Sequence, residues 1–122
     1  MVWLLTLGGV AVGSAFLRCR VRHIVVAGHS MAPTLRQGDR LLTVRGGRHP
    51  RPGRLALAPD PRVPDRLLIK RVAAVADGRV DLRGDDPHAS TDSRTFGVLP
   101  GTVVHGVVAY RYFPVERAGW IS

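Results

Sequence analysis

Hydrophobic positions along the chain follow two patterns. Residues 2–17 read VWLLTLGGVAVGSAFL, without a charge and with Thr6 and Ser14 the only clearly polar side chains. Beyond residue 20, short β-prone runs recur between Gly, Pro and Asp, a pattern of strands and tight turns. The runs at 21–27, 40–44, 55–58, 67–76, 79–82 and 103–112 predict strands, and Asp77-Gly78 predicts a two-residue hairpin between two of them. GGRHPRP at 46–52 and a polar stretch at 84–94 predict loops. No amphipathic run of helical length follows residue 20. The expected fold is mostly β, a single antiparallel β-sheet domain over 21–114, with an amino-terminal membrane helix over 1–20 and a carboxyl-terminal tail at 115–122.

A helix over 2–17 would be about 24 Å long, against a hydrocarbon core of about 30 Å. Trp3 at one end and Arg18, Arg20 and Arg22 at the other supply interfacial anchors that extend its reach. A cleaved secretory signal is disfavoured, because the basic residues follow the apolar run and no small-x-small site precedes Arg18. The segment is expected to contact membrane lipid, as a single-pass or peripheral anchor. Arginines on its carboxyl side favour placing the body of the protein on the cytoplasmic side.

Within the β region, GHSMAPTL at 28–35 places one serine, Ser30, on a turn between apolar runs. Serine is a common turn residue; it is also a nucleophile if a base lies nearby. His29 is adjacent and points away from Ser30 on an extended or tight segment, while His88 and His105 sit in no recognisable triad pattern. Lys70 is a different candidate. Alternation in LLIKRV puts Leu68, Lys70 and Val72 on one face and Ile69, Arg71 and Ala73 on the other. Lysine is neutral only when its pKa falls from about 10.4 to about 8 or below, a cost of about 3–4 kcal/mol that burial among aliphatic side chains can impose. Ser90 is the candidate second hydroxyl to hold the amine, and the Ser30 N–H the candidate oxyanion donor.

Composition sharpens this choice. Lys and Arg number 18, yet Lys70 is the only lysine, and lysine, unlike arginine, can be driven neutral. Cys19 is the only cysteine, so neither an intramolecular disulfide nor a zinc-type cysteine cluster forms; no metal or other cofactor is expected. The net charge of +9 raises the possibility of nucleic acid, but the basic residues are scattered without an aromatic-studded stripe, and no nucleic-acid partner is expected.

Three separated segments resemble the type I signal peptidases. GHSMAPTL with Gly38-Asp39 resembles their serine box, LLIKRVAAV their lysine box, and GDDPHASTDSRTFGVLP their closing box, in the family's order. The resemblance implies an antiparallel β catalytic domain behind a membrane anchor. It also implies a Ser/Lys endopeptidase acting on polypeptides that carry an amino-terminal leader, with small residues one and three places before the cut. By position Ser30 is the nucleophile, Lys70 the general base and Ser90 the lysine-orienting hydroxyl. Arg71, Asp85, Asp92 and Arg94 match positions that form salt bridges around the site, and Gly28, Met31 and Pro33 shape the serine turn. Two departures stand out: Asp86 replaces an asparagine, conservatively and remote from the dyad, and Arg54 replaces an aspartate whose strand-capping contacts are then in doubt.

ASTDSRTFG, the ending YRYFPVERAG and the short chain further resemble the nickel-type superoxide dismutase maturation proteases, which implies a cytoplasmic proenzyme as substrate. The alternatives are general processing of exported preproteins and a catalytically inactive, membrane-tethered module that binds leaders.

Overall fold

Alternating side chains and well-placed turn residues lay the chain into one antiparallel sheet. The computed structural model describes residues 21–45 and 50–121. Its strands are β1 (Val21–Val25), β2 (Arg40–Val44), β3 (Leu55–Asp60), β4 (Val63–Ala76), β5 (Arg79–Arg83), β6 (Leu99–Pro100), β7 (Gly106–Phe113) and β8 (Gly119–Trp120). They run in the order β1-β2-β7-β3-β4-β5-β6, with β8 added to β7, and all the pairings are antiparallel.

β3 sits near the middle and is buried on both faces, which explains why LALA shows no polar alternation. Leu55 joins Val26, Met31, Leu35, Leu41 and Val108 in one cluster, while Ala56 and Ala58 join Val72, Val80 and Leu82 in another. The predicted hairpin forms: Asp77 and Gly78 both take positive φ, 53° and 74°, and Ala76 pairs with Arg79, as a type I′ turn requires.

Several boundaries differ from the sequence expectation. β4 begins at Val63 rather than 67, because Asp60 accepts hydrogen bonds from the Arg62 N–H at 2.8 Å and from its guanidinium at 3.0 and 2.8 Å, making a tight reversal. A register shift beside Asp60 leaves 64–66 without cross-strand partners, so the missing N–H of Pro64 costs no ladder bond. The last long strand begins at Gly106, since Gly101–Val103 coils into a 3-10 turn. The polar loop contains a 3-10 turn, Pro87–Ala89, and a four-residue helix, α1 (Ser93–Phe96).

The expected tail is described as far as Ile121 and belongs to the sheet. β8 pairs with β7 and Ile121 packs against the first core cluster. The expected membrane anchor lies outside the described residues, among which no helix is long and apolar enough to cross a membrane.

Candidate active site

The serine turn is built locally. Gly28 takes φ +82°, a conformation L side chains rarely adopt, with open space where a Cβ would stand. Bonds from Ala32 N to His29 O (3.1 Å) and from Leu35 N to Met31 O (2.9 Å) then wind 29–35 into consecutive turns. Met31 and Leu35 are buried beneath them, Pro33 is exposed, and Ser30 is left half-buried. Among the described residues, neither the Ser30 hydroxyl nor its N–H is engaged in a hydrogen bond. No histidine side chain bonds to Ser30; the one histidine side-chain hydrogen bond among these residues joins His23 Nδ1 and Tyr112 OH at 3.3 Å.

Lys70 lies on β4 directly opposite Ala56, and Leu68 opposite Ala58. The two small methyls leave room for the lysine stem on a face that would otherwise be filled, and Lys70 is only 3% exposed. Its Nζ donates to Ser90 Oγ at 2.9 Å. Ser90 Oγ donates in turn to Asp92 Oδ2 at 2.6 Å. Asp92 also accepts from Gly84 N (2.8 Å), Arg94 N (3.1 Å) and the Arg94 guanidinium at 3.0 and 2.6 Å. The Arg94 bonds pull its carboxyl far below the ordinary carboxylate range; burial opposes them, and Ser90 and the two backbone donors add to them. Asp92 is therefore a pure acceptor, and the Ser90 proton is committed to it. Burial pushes Lys70 below its ordinary value; the charge of Asp92 opposes this and those of Arg62 and Arg94 assist it.

Gly84 holds this cluster against the serine turn. A Cβ there would collide with Ser90 Oγ and lie 2.6 Å from the Ser30 carbonyl oxygen. Asp86 completes the contact by donating its N–H to that carbonyl at 2.9 Å. Sequence reasoning placed Asp86 remote from the dyad; its side chain caps the Pro87–Ala89 turn, but its backbone touches Ser30.

On the opposite face of β4, Arg71 binds both oxygens of Asp85 at 2.8 and 2.7 Å and the Gly53 carbonyl at 2.7 Å. Asp85 also accepts from Thr34 Oγ1 at 2.6 Å. The Arg71 bonds are the main cause holding the Asp85 carboxyl below its ordinary value, against burial. One carboxylate thus ties the serine turn to the lysine strand. Sequence reasoning missed Thr34, whose only signal was its place within the serine box. Arg54, flagged from the sequence, has a buried Nε with no partner among the described residues.

A groove of about 370 Å³ runs from Ser30 along two strand edges that carry no partner among the described residues. Among the described residues β1 pairs only with β2, and β4 has β3 on one side while β5 joins the other only from Arg71 onward. Ile24, Val26, Met31, Leu35, Leu57 and Ile69 give the groove apolar walls. Two exposed strand edges flanking an apolar trough suit an extended peptide, whose main chain adds to the ladder while alternate side chains enter the walls. Among the described residues no cluster of His, Cys, Asp or Glu is arranged to hold a metal ion.

Comparison with known proteins agrees with this architecture. Residues 1–86 match the family model described as signal peptidase, peptidase S26. Mitochondrial inner membrane protease subunit 1 of Xenopus tropicalis is 31% identical over 119 residues, covering 79% of this chain and 71% of that one. Mitochondrial ATP-independent inner membrane protease subunit 1a of Arabidopsis thaliana is 32% identical over 121 residues, covering 77% and 71%. Mitochondrial inner membrane protease subunit 2 of Schizosaccharomyces pombe is 27% identical over 129 residues, covering 83% and 72%.

Proposed function

The chain belongs to the signal peptidase family, peptidase S26, and on that premise we propose that it is a Ser/Lys endopeptidase removing an amino-terminal leader or pro-segment at a membrane. The observation that carries this reading is the one-way hydrogen-bond chain from Lys70 through Ser90 to Asp92. Because the Ser90 proton is spent on a permanently charged carboxylate, Ser90 can only accept from Lys70. One Lys70 N–H is therefore fixed, and the lone pair of the neutral amine is turned away from Ser90, free to take a proton.

In this mechanism Lys70 removes the Ser30 hydroxyl proton as Ser30 Oγ attacks the scissile carbonyl. The Ser30 N–H supports the oxyanion. The protonated amine then gives its proton to the departing amino group, leaving an ester on Ser30. Lys70 deprotonates a water that hydrolyses the ester and regenerates the hydroxyl. The leader lies extended between β1 and β4, with small apolar residues against Ile24, Val26 and Ile69. The catalytic unit begins at residue 21, with 1–20 as its anchor, and extends past the expected boundary at 114 to take in β8 and the Arg117 contact with Asp39.

Membrane association is supported by the relatives, which are inner membrane protease subunits, and by the uncharged run at 2–17. Exposed Val25, Phe113 and Trp120 on the strands around β7 add to it. The likeness of ASTDSRTFG and YRYFPVERAG to nickel-type superoxide dismutase maturation proteases supports a metalloenzyme proenzyme, on the cytoplasmic side, as the substrate.

Comparing protein amino termini in cells carrying the native chain or Ser30→Ala tests the reading. Accumulation of an unprocessed cytoplasmic metalloenzyme is the expected outcome. Retained leaders on exported proteins would move the enzyme to general preprotein processing, and unchanged termini with substrates expressed would end the peptidase reading.

A further inference from the structure

The groove carries a charge pattern opposite to that of the molecule. The chain has 18 Lys and Arg against 9 Asp and Glu, yet the described residues that line the groove include no Lys or Arg and one carboxylate, Asp65. Asp65 is exposed and makes no ion pair among the described residues. The cations nearest to it along the chain are turned elsewhere: Arg62 and Arg66 both reach Asp60, at 2.8 and 3.9 Å. His23, which also lines the groove, has its Nδ1 against Tyr112 OH.

We propose that Asp65 is a specificity-determining residue that selects a basic side chain in the leader, about five residues from the scissile bond; this deepens the peptidase reading above and rests on it. The register follows from strand geometry. Asp65 precedes Lys70 by five positions on β4, and β-strands and extended peptides rise by the same ~3.3 Å per residue. A leader residue beside Asp65 is therefore about 17 Å from the bond held near Lys70. A lysine or arginine there lays its aliphatic stem along Leu67 and brings its charge to the carboxylate. In a molecule whose overall field repels cations, Asp65 makes the groove locally receptive to one and repels an acidic residue at the same place.

The test uses the full chain in detergent micelles. The peptides have alanine one and three residues before the cut, apolar residues around them, and a single Arg, Gln or Glu four, five, six or seven residues before the cut. The native chain is expected to favour Arg over Glu by about three- to fivefold in kcat/KM at one or two adjacent positions, the size of a solvent-exposed ion pair. The preference shrinks as salt rises. Asp65→Asn levels it, and Asp65→Arg reverses it. Equal rates for the three residues at every position, or a preference that Asp65→Asn leaves unchanged, would overturn the proposal. Anisotropy measurements of the same labelled peptides on Ser30→Ala read the selection without hydrolysis. Discrimination in binding with no cleavage by the native chain would sink the peptidase reading and leave this one standing, whereas cleavage without discrimination does the reverse.

Discussion

Two buried aspartates in this molecule are surrounded by arginine, and they do different work. Asp39, 1% exposed, accepts from Arg36 N at 2.9 Å, Arg111 Nη1 at 3.1 Å and both Arg117 terminal nitrogens at 2.7 and 3.0 Å. Every one of these partners is a backbone amide or a guanidinium that keeps its charge. Arg111 also reaches the Thr34 carbonyl at 2.9 Å and the Arg117 carbonyl at 2.6 Å, so the cluster pins the end of the serine turn to β7 and to the segment that follows it. Asp92 is equally buried and equally tied to an arginine, but one of its oxygens takes a neutral hydroxyl that leads to a buried amine. A buried carboxylate closed on permanent charges is a clamp; one that ends in a titratable nitrogen can organise proton transfer. The difference lies in the last atom of the network, not in its burial.

The largest effect that separates the two clusters is expected at Lys70. Lys70→Met fills the same space without an amine and should lower kcat/KM by about 10³-fold or more, with circular dichroism and the urea midpoint retained. Asp39→Asn should do the opposite. It leaves Arg111 and Arg117 short of their counter-charge and should cost about 3 kcal/mol in urea unfolding, with the pH dependence of the remaining activity unchanged.

Ser90→Ala comes next. It removes the fixed acceptor for one Lys70 N–H, and kcat should fall by about 10²-fold through misalignment of the base while KM stays near its native value. A comparable loss from a Thr34 substitution with no change in Ser90→Ala would reverse the ranking. pH sharpens the same contrast. kcat/KM should rise with pH through the folded pKa of Lys70, which burial sets below the ordinary 10.5. Asp39, Asp60, Asp85 and Asp92 are all held below the ordinary 3.8. Their contribution to stability is complete above that value and is lost as pH falls toward their folded values. Lys70 follows the same sign in an alkaline window: between its folded and unfolded values the unfolded chain binds more protons, so stability again rises with pH as the penalty of burying a charged amine is relieved. The smallest effect is expected at Arg54. Arg54→Met removes a buried Nε that has no partner among the described residues and should raise stability by about 1 kcal/mol, read from the urea midpoint.

Strand content was legible because it depends on local pattern. Arg40–Val44 matches its expected bounds residue for residue, and the Asp77-Gly78 turn follows from two residues that tolerate positive φ. The face occupied by Lys70 followed from alternation alone. Other features were illegible for physical reasons. The start of β4 depends on Asp60 folding back onto Arg62, a side-chain contact that no hydrophobic period encodes. The place of Val115–Arg117 in the body depends on Arg117 reaching Asp39, 78 positions away. Thr34 and Asp86 belong to the site only because the 84–94 loop folds over the serine turn.

Sequence by itself determined the antiparallel class, the family through three ordered boxes, and a short list of candidate groups for acyl chemistry, because residue type and spacing of two along a strand are local quantities. Only the tertiary structure decided the rest. It buried Lys70 over Ala56, turned the Ser90 proton toward Asp92 and, among the described residues, left the edges of β1 and β4 open on either side of a groove. Burial, hydrogen-bond direction and free edges are properties of neighbours brought together from distant parts of the chain, and no single stretch of sequence contains them.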